Sequence, residues 1–368
     1  MGSEALACAL DDPAFLSDFG FEAEYAENYG GNSRSEGYTN LVDLGHLAEN
    51  CYDILPNSSQ TVIDRLQDCV IYNVSGPFHA YATGLSCYYS YNNDFDDFYG
   101  YSRIGCSDSF KYLYNYTLSG ELPPDGIQYI QDLGYSEEDV STIPELTDSM
   151  DDEYPLYIDD EDYVVLELSQ NTMNMLTGVY FQLAYIDEED DIILLLGQDN
   201  DIDMNWDTGI FRDNFRGVWG AIDDYPVYME IVYETDDYTT YSVPILLNGE
   251  EYNLRVNYDY IDEAFYILGA RKALDDNGIA DKNLIQLRPG DEITTIHYAS
   301  SLSGDDDFAA IPVDTFTVTE DTSFDETDMG DGTFLMLFEL HDAKSNIQYS
   351  EMIQITVDGD YEYIEILD

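Results

Sequence analysis

At 368 residues the chain is long enough for two or three domains, and its 44% apolar and aromatic content excludes general disorder. Twelve basic residues face 77 acidic ones, a net charge of −65. A surface of that sign repels nucleic acid and anionic lipid and gathers cations and basic peptides, so a nucleic-acid binder is excluded and a solubility coat is the plainest reading. The start "MGSEALACALDDP" carries no basic leader, and the densest apolar run of the second half, "IILLLG" (192–197), is far too short to span a bilayer.

Charge changes along the chain. Residues 1–120 hold 17 acids and 4 bases; residues 121–368 hold 60 and 8. The patterning changes at the same place, and the expected fold class is α+β: a mixed α/β segment over 1–120, an acidic linker with short helical turns over 121–160, and a mainly antiparallel β region, sandwich or barrel, over 161–368, with a possible split near 298.

In chain order, "DPAFLSDFGFEAEYAENY" (12–29) reads as a helix with Asp12 as cap and Pro13 in the first turn. The loop "GGNSRSEGYTN" follows, and Asn40 is the expected cap of a second helix with Leu41, Leu44, Leu47 and Ala48 at helical spacing. "SSQTVIDRLQDCVIYNV" predicts a helix running into a strand, "GLSCYYSYN" a strand, and "SDSFKYLYNYTL" a helix entered through Ser107 or Asp108. From 161 the segments "DYVVLELS", "TGVYFQLAYID", "DIILLLGQD", "YPVYMEIVYE" and "AFYILGARKAL" alternate or run apolar between turn residues. Asn248-Gly249 marks a hairpin turn.

His46 and Cys51 raise the question of a catalytic pair. Five helical positions turn the side chain by about 140°, which separates the two. His46 is therefore expected on a surface or loosely packed, and Cys51 in the core. The five cysteines (8, 51, 69, 87, 106) include no CxxC and are an odd number, so neither a disulfide scaffold nor a zinc knuckle is expected, and buried thiols are. His79, His297 and His341 stand apart from any motif, with structural roles expected for the last two.

Two acidic loops offer oxygen ligands for a hard cation. "GQDNDIDMNWDTG" (197–209) supplies Asp199, Asp201, Asp203, Asn205 and Asp207; it departs from the EF-hand pattern, with Trp206 and Arg212 where glycine and glutamate belong. "LDDNGIADKNL" supplies Asp275, Asn277 and Asp281. Calcium is the expected cofactor at either, against the plain alternative of a solvated acidic loop.

Six stretches, in order, carry a resemblance: "YAENYGGNSRSEGYTNLVDLGHLAEN", "ATGLSCYYSYN", "VYFQLAYIDEEDDIILLLGQDNDIDMNW", "FRGVWGAIDDYPVYMEIVY", "ARKALDDNGIADKNLIQLRPGDEI" and "YASSLSGDDDF". Together they resemble the clostripain-like cysteine peptidases of anaerobic bacteria, over the part that follows the catalytic core. The resemblance implies a caspase-like α/β domain, a histidine–cysteine dyad, cleavage after basic residues, calcium dependence and an extracellular or cell-surface location. In that family the dyad histidine precedes glycine and the dyad cysteine follows Asp-Ala. Neither context occurs here, so no catalytic residue is carried over. The chain would be the non-catalytic C-terminal portion, 1–120 being the end of the caspase-like domain, and its partner the missing N-terminal catalytic half. The alternative is a secreted acidic β-rich module that binds cationic peptides or glycans through tyrosine-bearing strands.

Overall fold

The computed structural model describes residues 1–30, 32–33, 36–76, 79–146, 156–213, 215–273, 279, 281, 283–303, 307–359 and 361–367. It is an α+β chain with mostly antiparallel sheets.

Its first part packs the helices Gly2–Asp11, Phe15–Glu24, Leu44–Asn50, Pro56–Cys69, Phe95–Ser102, Asp108–Ser119 and Pro124–Leu133 around a two-stranded antiparallel sheet, Leu41–Asp43 with Ser86–Tyr88. Leu6, Leu16, Leu47, Leu55, Leu113, Tyr116 and Ile130 lie fully inside that core. Burying each such side chain stabilises by about 1.5–3 kcal/mol before entropy is counted. Asp12 does bond the Ala14 N–H, at 3.1 Å, but the helix beyond it is shorter than expected and preceded by another, Gly2–Asp11. Asn40 does not cap the next helix. Leu41–Asp43 is a strand, and Asp43 is the cap, its Oδ1 receiving the N–H groups of Gly45 and His46, each at 2.9 Å.

After Cys69 the expected strand is absent. Val70–Gly76 runs as irregular chain, with Ile71, Tyr72 and Val74 exposed to 98%, 83% and 73%. The stretch 121–146 is more than a linker: Pro124 opens a helix that Gly134 closes in the left-handed conformation (φ 100°), and Ile130 and Ile143 join the helical core.

The second part is one large antiparallel sheet of twelve strands, with a four-stranded and a three-stranded sheet beside it. Its central path runs Ala264–Arg271, Glu250–Asp259, Tyr238–Leu247, Glu292–Ser301, Ile192–Asp199, Leu176–Asp187, Gly332–Asp342, Met352–Asp358 and Tyr361–Leu367. Glu230–Glu234, Ala309–Thr317 and Ile347–Tyr349 pair off this path. Alternation sets the faces: Phe334, Met336, Phe338 and Leu340 all point into the core along one strand. The division expected near 298 falls inside Glu292–Ser301, which pairs with Ile192–Asp199, Tyr238–Leu247 and Ala309–Thr317. The sheet passes through it unbroken.

Asn248 (φ 54°) and Gly249 (φ 82°) form the two-residue hairpin turn as the sequence implies. A Cβ at Gly249 would meet open space, so Gly249→Ala tests backbone strain alone. Urea unfolding should show a loss of about 1–2 kcal/mol.

Candidate functional site

The Leu41–Asp43/Ser86–Tyr88 sheet brings together the residue types that a peptidase reading singles out. Asp43 organises the region. Its fully buried carboxylate accepts from Gly45 N and His46 N, from Thr83 N (2.8 Å) and Oγ1 (2.6 Å), and from the Tyr29 hydroxyl (2.6 Å). Five donors on one carboxylate fix the strand-to-helix turn and tie the 79–86 segment to it.

His46 is buried, against the surface or loosely packed placement expected from the sequence. Its Nδ1 accepts the Glu27 N–H at 2.9 Å, and the ring stacks on Tyr81 with centroids 4.6 Å apart. Burial pushes its pKa down, so it rests as a neutral imidazole with one nitrogen spent on the backbone. Helical periodicity does not place it because His46 lies in the first turn, where the incoming loop covers it. His79 Nδ1 stands 2.6 Å from Oε1 of the buried Glu27, and its ring faces an open cleft.

The thiols point away from catalysis. Burial pushes Cys51 far above the ordinary thiol range, with Glu22 adding to the effect, and pushes Cys87 to about 12, with Asp43 adding. Cys8 is also raised by burial. A nucleophilic cysteine needs the opposite shift. Cys51 is core as expected, whereas Cys69 and Cys106 are exposed. His297 is structural, its ring nitrogens 3.3 and 3.1 Å from the carbonyls of Leu195 and Pro226. His341 lies 2.5 Å from the buried Glu339, which also accepts from Gln182 (2.6 Å) and Gln198 (3.1 Å).

The 197–209 loop divides its five oxygen ligands. Asp203 bonds Arg212 at 2.8 Å, Asn205 accepts the Thr208 N–H at 3.1 Å within its own turn, and Asp207 is exposed. Asp199 and Asp201 face a 300 Å³ pocket together with Asp213 and Glu326. There burial raises Asp199 to about 6, against hydrogen bonds from Tyr241 (2.6 Å) and Asn200 N, and Asp201 raises it further; Glu326 is raised by burial and by Asp201. Among the described residues no group of three or more histidine, cysteine or acidic side chains is arranged to hold a metal. Of the second candidate set, Asp275 and Asn277 lie outside the described residues, and Asp281 accepts from Asn283 N at 2.9 Å.

Sequence reasoning missed a cleft of about 650 Å³ between the helical part and the large sheet, walled by Tyr29, Leu41, Tyr233, Leu268 and Leu284, with His79 and Arg271 among its polar groups. Nothing in the local sequence marks it, because its walls come from segments more than 200 residues apart.

Burial raises Asp199 to about 6 and Glu22, Glu24 and Glu234 to about 7, from ordinary values of 3.8 and 4.5. Between those values the folded chain holds protons that the unfolded chain releases, so stability grows as pH falls through the window and shrinks as it rises. The melting temperature should be higher at pH 5.5 than at pH 8, measured at constant ionic strength. Compared with known proteins, the chain matches no family model and no curated protein.

Proposed function

We propose that this chain is the non-catalytic C-terminal portion of a clostripain-like cysteine endopeptidase and serves as the partner of a catalytic half that supplies the dyad. In this reading the helical part is the end of a caspase-like α/β domain, and the large acidic sheet is the platform behind it. The ordered resemblance of six stretches is the starting point. One structural observation supports it: the helical part is built on a short sheet in which Leu41–Asp43 pairs with Ser86–Tyr88 on one side and bridges to Asn28 on the other, while Leu85, Ile71, Tyr72 and Val74 are left exposed to water. So small a sheet is marginal, and exposed apolar side chains offer a surface for further elements. The raised thiols of Cys51 and Cys87 also fit a chain that does not supply the nucleophile.

Calcium belongs to this reading through the resemblance, at Asp199, Asp201, Asp203, Asn205 and Asp207 of the 197–209 loop; among the described residues these groups are not gathered into a ready-made site, so a cation would have to draw them together. The family's extracellular or surface location belongs to it as well, and the net charge of −65 suits such a setting.

A second reading, a binder of basic peptides or glycans, is favoured by one other surface. On the terminal hairpin Tyr361, Tyr363 and Glu365 share a face with Asp358, Thr356 and Gln354, and both tyrosines are exposed. Flat rings beside carboxylates suit sugars and cationic side chains.

With arginyl and lysyl peptide substrates, calcium and a reductant, the purified chain should be inactive. Activity should return on co-expression with a companion carrying the His-Gly and Asp-Ala-Cys contexts. Cleavage by the chain alone, lost in Cys51→Ala or Cys87→Ala, would overturn the proposal. For calcium, the melting temperature should rise by a few degrees in millimolar Ca²⁺ over chelator, and Asp201→Asn should abolish the rise. An unchanged melting temperature would remove calcium from the account.

A further inference from the structure

The cleft of about 650 Å³ gathers two of the chain's few cations, Arg255 and Arg271, opposite the acids Glu27 and Asp281. On one wall Arg255 and Arg271 share a single buried carboxylate, Glu36. Arg255 takes it in a fork: Nη1 donates to Oε1 at 2.6 Å, and Nη2 donates to Oε2. Ser242 Oγ donates to the same Oε1 at 2.8 Å. Arg271 is left with little. Its Nη2 lies 3.6 Å from Oε2, too long for a hydrogen bond, and among the described residues Glu36 is the only carboxylate within 4 Å of it.

Arg271 is nonetheless 85% withdrawn from solvent, with its side chain 15% exposed. Burial, reinforced by the neighbouring Arg255, lowers its pKa to about 10, so it keeps its charge at neutral pH. Asp281, at the rim, already accepts from the backbone and side-chain N–H groups of Asn283. A largely desolvated guanidinium with unspent donors is costly unless something pairs with it. Leu41, Tyr233, Leu268 and Leu284 form its apolar walls, Glu27 among the remaining polar groups is paired with His79, and its volume falls within the range of about 300–1,000 Å³ common to small-molecule sites.

We propose that this cleft binds a carboxylate borne on an apolar body, with the carboxylate forked onto Arg271 and the apolar part lying along Leu268 and Leu284. The site is independent of the peptidase reading. An isolated small carboxylate and the free C-terminus of an apolar peptide offer the same chemistry. A cationic or sugar ligand does not fit, because the wall is already positive and the lining mostly apolar. The planar fork of arginine matches a carboxylate in a way that lysine cannot.

The experiment is calorimetric titration of the full chain with two matched pairs: 3-phenylpropanoate against its amide, and acetyl-Ala-Ala-Phe with a free carboxyl against its C-terminal amide. At least one acid is expected to bind tenfold or more tightly than its amide, and the pair that shows the preference identifies the source. Arg271→Gln should erase the preference, and Arg271→Lys should keep part of it. Leu284→Ala should weaken acid and amide alike, several-fold, leaving their ratio unchanged. Circular dichroism and melting curves confirm that each variant folds; should Arg271→Gln fail to fold, the wild-type pairs and Leu284→Ala still decide. Absence of binding by every probe, equal affinity for acid and amide, a preference that survives Arg271→Gln, or affinities indifferent to Leu284→Ala would each overturn the proposal.

Discussion

Carboxylates outnumber guanidinium and ammonium groups in this chain by more than six to one, and most of its buried acids are not held by arginine or lysine. They are held by neutral donors. Asp43 takes five N–H and O–H groups. Asp342 takes the N–H groups of Leu146, Lys344 and Asn346 and the Asn346 amide, and so fastens the end of the helical part to the large sheet. Glu339 is held by two glutamines and His341. Several of the 34 tyrosines serve the same need: Tyr29 bonds Asp43, Tyr241 bonds Asp199 and Tyr228 bonds Glu230. A tyrosine buries its ring in the core and delivers an O–H at the boundary, which suits an acidic protein poor in cations. The buried guanidinium–carboxylate cluster at Glu36 is the exception, and its surplus cation is what singles out the cleft.

The β region was the more legible part of the sequence. Period-two alternation reports which face is buried, and a turn such as Asn248-Gly249 is dictated by two adjacent residues that tolerate positive φ. Both are local signals. The helical part was harder. Asn40 and Asp43 are both acceptable caps, and the choice between them depends on Ser86–Tyr88 arriving from 40 residues away to make Leu41–Asp43 a strand. "VIYNV" has the composition of a strand but, among the described residues, no strand pairs with it, and it runs as irregular chain. The register across Glu292–Ser301 joins strands that no local pattern connects.

The candidate sites follow the same division. Acid-rich loops are easy to see in sequence, yet side-chain direction decides what they do: Asp203 turns to Arg212, while Asp199 turns inward to Tyr241. The cleft was invisible because Glu36, Arg255 and Arg271 meet only in the folded chain. The helical part packs against the broad acidic sheet, and the cleft at their junction places Arg255 and Arg271 on one wall in an overwhelmingly negative molecule.

That neutral donors hold this fold together can be tested at Asp43. Asp43→Asn keeps the shape of the side chain but replaces an acceptor oxygen with a donor that faces other donors. Lys272→Ala removes an exposed pair with Glu250. Measured by urea unfolding, the first should cost about 2–4 kcal/mol and the second far less, because that pair lies in solvent. A loss at Asp43 no larger than that at Lys272 would contradict the account.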